Sequence, residues 1–357
     1  MKVSIIGGGL TTLTLAKSLV NQGIYVDIFS HQKTLNKNKM RTLGISHANV
    51  EFFNENVINI KKLLWNINNI EIFSENLKSE KILNFNDDKK YLFSMIKNQD
   101  LSNYLIKELK NSKLVKFIKN FSNKDLLISK YKLVFNCDIG NEISQKFFYK
   151  KIIKNYKSFA HTTIIEHKKI LDNNSAVQIF TKKGPLAFLP ISETKTSIVY
   201  SARGENNIDL KSLIEKHNFK YSITKINDVY SFELKSLNLR SYHYQNVLAF
   251  GDLLHKLHPL AGQGFNMSIR DISQILKLIK FKLNHGLDLD SSICSDFEKT
   301  TRHRNYLFSN GIDLVYEFFN FESKINNSFL SKSVRLIGKH KSTNKIFTKL
   351  ANNGITT

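Results

Sequence analysis

The first thirty residues constrain the fold most. Lys2 to Ile6 is a short apolar run, Gly7-Gly8-Gly9 breaks it, and Leu10, Leu13, Leu15, Ala16 and Leu19 recur at helical spacing through residues 10–22. Residues 24–29 are apolar again, so the period changes from strand to helix and back. Two strands this close, joined by a helix, make a βαβ unit, whose parallel strands need such a crossover. The turn between strand and helix reads Gly7-x-Gly9-x-x-Thr12, where a dinucleotide-binding turn belongs. Gly7 permits a tight turn, and Gly9 lets the backbone approach a pyrophosphate held at the positive end of the helix. Thr12 stands where a third glycine would allow close packing of helix on strand. Ser30 stands where an acid would hold a ribose, with Asp27 three residues too early. At this point a glycine-rich turn in another kind of α/β protein is an equal alternative.

Further along, residues 98–111 read as a helix, and Leu133-Val134-Phe135, ending at Asp138, as another parallel strand. From about 155 to 240 the pattern becomes short alternating strands, among them 176–180, 186–190 and 197–201, which predicts an inserted antiparallel sheet. Val247 to Phe250 returns to strand and then helix, and the chain is helical in pattern from about 296. The expected architecture is a discontinuous Rossmann-like domain over 1–70, 96–150 and 240–295, an antiparallel β-sheet substrate domain over 71–95 and 151–239, and a C-terminal helical region over 296–357. At 357 residues the chain can bury two cores.

The net charge of +23 raises nucleic acid as a partner. Only seven of the 53 basic residues are arginine, the cation suited to bidentate phosphate recognition, and the lysines are scattered among asparagine and isoleucine. Compositional drift is the better reading, and no nucleic-acid partner is expected. Cys137 and Cys294 are far apart and have no neighbours at metal-ligand spacing, which predicts a reducing, cytoplasmic compartment. The N-terminal apolar run is broken by glycines and Lys17, unlike a signal peptide, and no run of 18 apolar residues predicts a membrane span. His255 and His258 lie at i and i+3 without a third ligand nearby, so no metal is expected. Lys332 to Leu350 reads either as an amphipathic helix lying on anionic lipid or, slightly favoured, as a solvated face packed on the protein.

The most specific stretch is Gly251-Asp252-Leu-Leu-His255-Lys-Leu-His258-Pro259-Leu-Ala-Gly262-Gln263-Gly264-Phe-Asn266-Met-Ser-Ile-Arg-Asp271, directly after a strand. A carboxylate at the strand end can take two hydroxyls of a polyol, and the Gly262-Gln263-Gly264 turn offers backbone N–H groups at a helix N-terminus, suited to an anionic flavin. Here the chain resembles the FAD-dependent aromatic hydroxylases, in particular the branch that hydroxylates polyprenylated phenols in ubiquinone biosynthesis. The resemblance extends over most of the chain, and its three prolines (185, 190, 259) all fall at family positions.

The resemblance implies FAD as cofactor. It makes Asp252, after Gly251, the ligand of the ribityl chain. Pro259 and the stretch Gly262, Gln263, Gly264 to Asn266 become the loop beside the isoalloxazine. Gly7, Gly9, Thr12 and Ser30 fall in the AMP half of the site. Arg41, before Thr-Leu-Gly-Ile-Ser46, matches a cofactor-contacting Arg, and a solvent-facing Arg is the alternative. Asn98 opens a family helix, either as a flavin contact or as a plain cap. Asp138 resembles the acid of an Asp-Gly motif near FAD and the NAD(P)H pyrophosphate, although Ile139 follows it and Gly140 comes one place late. Tyr156 matches a strand start, with a core aromatic as the favoured alternative. Catalysis is expected to centre on the flavin rather than on a side chain: NADH or NADPH reduces it transiently, O2 adds to give a C4a-hydroperoxide, and oxygen passes to an electron-rich ring. The implied partners are a lipid-tailed phenol, other components of a ubiquinone-biosynthesis assembly, and the inner face of a membrane touched peripherally. A non-catalytic member of such an assembly, motivated by Thr12, Ser30 and Ile139, is the rival reading, as is an FAD hydroxylase or reductase of another aromatic compound.

Overall fold

The computed structural model describes residues 1–30, 41–75, 80–86, 91–119, 130–204, 208–257 and 263–325. A six-stranded sheet runs in the order β16 (His243–Tyr244), β17 (Val247–Ala249), β9 (Val134–Asn136), β1 (Lys2–Ile6), β2 (Tyr25–Phe29), β8 (Val115–Ile118). All its pairings are parallel except β16 with β17. Its central strands are mainly apolar because both faces are covered: Val3, Ile5, Ile6, Val26, Ile28, Val134 and Leu248 are buried. Helix α1 (Leu10–Val20) packs against α3 (Asn98–Lys110) and α6 (Gln263–Asn284). In α3, Leu101, Leu105 and Leu109 recur every four residues and bury one stripe.

The second sheet has nine strands. Its path is β18 (His255–Lys256), β15 (Tyr230–Leu239), β10 (Lys151–His167), β13 (Lys195–Arg203), β12 (Gly184–Pro190), β11 (Ser175–Thr181), β5 (Asn69–Ser74), β6 (Glu80–Asn86), and β14 (Ile223–Ile226) pairs with β10. It departs from a purely antiparallel sheet at one place, where β11 and β5 run parallel. The reason is connectivity: β5 follows β4 (Trp65–Ile67) after a single residue, so it enters from the small sheet in a fixed direction. The small sheet joins β3 (Thr42–Ser46), β7 (Phe93–Lys97) and β4. It meets the large sheet through Thr42 Oγ1, 2.8 Å from Ser197 Oγ, and through an apolar cluster of Ile67, Met95 and Ala176.

Helix α5 (Leu210–His217) covers one face of the large sheet, where Leu210 and Ile214 pack on Val177, Ile179, Leu186, Phe188, Ile198 and Tyr200. Two further helices, α2 (His47–Asn56) and α4 (Glu142–Phe147), are short, and α7 (Ser292–Ile325) begins four residues before the helical pattern in the sequence does. Among the described residues no helix is long and apolar enough to cross a membrane. The basic stretch from Lys332 to Leu350 lies outside the described residues.

Candidate cofactor site

Strands β17, β9 and β1 are neighbours and parallel, so their carboxyl ends bring three distant segments together at the edge where open α/β sheets bind ligands. Gly7 sits at φ +137°, its N–H donating to Phe29 O at 2.8 Å. A Cβ there would lie 2.9 Å from Thr12 Oγ1 and 3.1 Å from Cys137 Cβ, so the turn closes only around glycine. Gly9 differs: it is exposed, it caps α1 without a side chain, and a Cβ on it would meet nothing within 4 Å. That open space lies over the uncapped N-terminus of α1. Gly251, at φ +60°, lies against Thr11, whose Cγ2 would be 3.0 Å from an added Cβ. Thr12 is fully buried and fills the space that a third glycine would leave.

Burial pushes the Cys137 thiol up to about 12, and Asp252 and Asp138 add to the rise, so two carboxylates bracket the junction of the three segments. Asp252 is exposed and makes no hydrogen bond or ion pair with a described residue. Asp138 is partly engaged: its Oδ1 accepts from Gly140 N at 2.9 Å, and Ser144 Oγ donates to its carbonyl. The glycine that comes one place late therefore closes an Asx turn. Ser30 is buried at the end of β2 with its N–H on Ile118 O at 3.2 Å. Asp27 accepts from Tyr131 OH at 2.6 Å and pairs with Lys2 Nζ at 2.7 Å, so its carboxylate serves the fold.

The other wall is the start of α6. Nothing lies within 4 Å of a Cβ added at Gly264, while Gln263 Oε1 is 3.5 Å from Arg270 Nη2. Asn266, in the first turn of α6, is buried. Its Oδ1 accepts from Ser46 N (2.9 Å) and Asn49 Nδ2 (2.8 Å), and its Nδ2 donates to Gly44 O (2.8 Å). It thus braces α6 on β3 and α2. Arg41 is exposed, and its carbonyl accepts from Asn98 N at 2.9 Å, which sets these two residues side by side where β3 begins and β7 ends. Asn98 does not cap α3: no side chain does, and its Oδ1 lies 3.5 Å from Ser102 Oγ. Pro259 and Gly262, with His258, lie outside the described residues.

The ladder registers define the face of the large sheet that turns towards β3. On it Ala160 pairs with Ser201, Thr162 with Val199, Val199 with Ala187, Ala187 with Gln178, and Gln178 with Ile72. Ser197, bonded to Thr42, shares the face with its partners Ile164 and Leu189. Between the Ala160 and Ile164 levels these rows carry no charged side chain. Tyr156 is buried at the near end of β10, its hydroxyl bonded to Asp313.

Sequence reasoning missed three features. Cys137 at the junction is visible only once strand order is known. Arg270 has its guanidinium 4.7 Å from the Phe308 ring centroid, and burial lowers its pKa to about 10. His255 and Asp271, sixteen residues apart, form a buried hydrogen-bonded pair. Among the described residues no group of three His, Cys, Asp or Glu side chains could hold a metal.

The fold is that of the flavin-dependent hydroxylases: p-nitrophenol 4-monooxygenase from Pseudomonas putida DLL-E4 superposes with a TM-score of 0.73 at 12% identity over 98% of both chains. HpxO of Klebsiella pneumoniae, a structure complexed with FAD and uric acid, gives 0.75 at 11% identity over 99% of this chain and 97% of its own. Residues 203–288 match the FAD binding domain family. Curated relatives include ubiquinone-biosynthesis monooxygenases. The human enzyme COQ6 is 27% identical over 53% of this chain and 50% of its own, and Escherichia coli 3-demethoxyubiquinol 3-hydroxylase is 27% identical over 41% and 40%. The chain spans about half the length of the curated relatives it matches.

Proposed function

We propose that the chain binds FAD and hydroxylates the ring of a lipid-tailed phenol in ubiquinone biosynthesis, with NADH or NADPH as transient reductant. The observation that carries the cofactor reading is the convergence of Gly7–Thr12, Cys137–Asp138 and Gly251–Asp252 around the uncapped end of α1, with Gly9 open and Asp252 unpartnered among the described residues. The residues fit the group. The α1 N-terminus would take the pyrophosphate, Asp252 the polyol, and the opening of α6 the negative edge of the ring system. Arg41 and Asn98 stand together as further contacts. Bound FAD would supply two-electron redox chemistry and activation of O2.

The chain's own part is to orient and to exclude water. The α6 N-terminus would favour developing negative charge beside it, and Asn266 holds that helix in place. The sheet face from Ala160 to Ile72 offers small apolar and neutral side chains, which suits an uncharged ring with a hydrocarbon tail better than a carboxylated one. A tailed substrate would come from a membrane surface, and other enzymes of the same assembly would be its partners. Incubation with FAD, NADH or NADPH, and a short-chain prenylphenol should give a product heavier by one oxygen atom. Turnover of carboxylated aromatics in preference to prenylphenols would reject the substrate assignment.

A further inference from the structure

Among the described residues, α7 carries a polar stripe on the side that meets the large sheet. Asn305, Ser309, Asp313 and Glu317 recur every fourth residue, which puts them on one stripe. A helix packed on a sheet ordinarily buries an apolar stripe there. Asn305 finds its partner on α6, and the other three find theirs on the sheet. Asn305 Nδ2 donates to Asp271 Oδ1 at 3.0 Å, Asn238 Nδ2 to Ser309 Oγ at 2.8 Å, and Tyr156 OH to Asp313. Lys154 Nζ lies 3.8 Å from Asp313 and 3.2 Å from Glu317.

At the inner end of the seam, His255 Nε2 donates to Asp271 Oδ2, and both residues are only 2% exposed. Two buried atoms there, His255 Nδ1 and Asn238 Oδ1, have no hydrogen-bond partner among the described residues. Their residues are paired across the β15–β18 ladder, so the two side chains stand next to each other on one face. At the outer end a groove of about 340 Å3 opens between β10, β15 and α7, and Ser236, Asn238 and Asp313 line it. Asn238 is therefore common to the groove and to the buried pair.

The donor and acceptor count decides what belongs there. Donation from Asn238 Nδ2 to Ser309 makes Asn238 Oδ1 an acceptor, and the proton on His255 Nε2 leaves Nδ1 as an acceptor in the singly protonated ring. One water donating both its hydrogens satisfies two adjacent acceptors. We propose that a water drawn from the groove bridges Asn238 Oδ1 and His255 Nδ1, and that the α7 seam is a proton path between solvent and the buried His255–Asp271 pair. A proton arriving at Nδ1 is balanced by release of the Nε2 proton to the Asp271 carboxylate, so the pair stores one proton and returns it by the reverse steps. Near this pair stand Tyr242 after β15 and Arg270 on α6, with Glu298 and Arg302 of α7 beyond Tyr242, while Lys154, Tyr156, Asp313 and Glu317 lie along the seam towards the groove. The path ends on His255, three residues after Asp252, and on Asp271 of α6, the helix whose start belongs to the proposed flavin site. That placement rests on the FAD reading, whereas the seam itself does not.

Protein labelled with 15N-histidine and kept free of cofactor separates the two. The His255 ring should carry its hydrogen on Nε2 and not on Nδ1. Its exchange with solvent should slow at least tenfold in Asn238→Leu, which removes the bridging acceptor. Leu314→Trp, at an exposed position on the groove, narrows the mouth without touching the core and should also slow exchange at least tenfold. Any smaller slowing in both variants, or a hydrogen on Nδ1 at neutral pH, overturns the proposal. A separate FAD titration tests the flavin reading, and its failure would leave the exchange result standing.

Discussion

Gly9→Ala separates the ligand's claim on the first turn from the fold's. Gly9 has φ −83° and ψ 175°, a conformation any residue adopts, and its missing Cβ faces no protein atom within 4 Å. The protein should lose little: exchanging glycine for alanine at a helix N-cap costs under about 1 kcal/mol. A pyrophosphate at the α1 N-terminus would lose far more, because the new methyl occupies its line of approach. One charge-assisted hydrogen bond is worth about 1.5–3 kcal/mol, and the helix end adds about 0.3–1 kcal/mol. The combined loss of about 2–4 kcal/mol corresponds to FAD binding weaker by roughly 30- to 1,000-fold. Gly7→Ala is the contrast: at φ +137° with contacts of 2.9 and 3.1 Å it should strain the fold itself, by about 1–3 kcal/mol. Urea unfolding gives the stabilities, and quenching of flavin fluorescence gives the affinities. If Gly9→Ala binds FAD as tightly as the parent, the pyrophosphate does not sit on this turn.

Three further outcomes are expected. Asp252→Asn should keep its circular dichroism spectrum and thermal midpoint, since the carboxylate is exposed and supports no described residue, yet bind FAD at least tenfold more weakly. Asn266→Ala should lower stability to urea by about 3 kcal/mol, because Ser46 N, Asn49 Nδ2 and Gly44 O each lose the buried bond that the Asn266 amide gives them; a change under about 1 kcal/mol would refute its bracing role. The Cys137 thiol, raised from 9.0 to about 12, holds its proton more tightly in the folded state. Its stabilisation is therefore complete below pH 9 and is lost as pH climbs from 9 towards 12. Thiol reagents at pH 8 should modify it more than tenfold faster in denatured than in native protein.

Local pattern made the βαβ unit legible, since the spacing of Leu10 to Leu19 and the glycines beside it act within one turn of chain. The return to strand at Val247 and the helix after it were legible for the same reason. What a single segment cannot reveal is adjacency. Cys137 reaches Gly7 only because β9 lies beside β1, and Asp252 comes near Cys137 only because β17 lies beside β9. That Asn266 ties α6 to Gly44 and Ser46, more than 200 residues away, was hidden in the same way. The parallel pairing of β5 with β11 was hidden likewise, because it follows from a one-residue link to another sheet.

The most direct measurement is the visible absorption spectrum of the purified protein mixed with FAD and freed of excess, recorded before and after anaerobic addition of NADH or NADPH. Retained flavin bands that bleach on reduction are the expected result. A protein that emerges colourless from that treatment would contradict the assignment of the α1 and α6 ends to FAD.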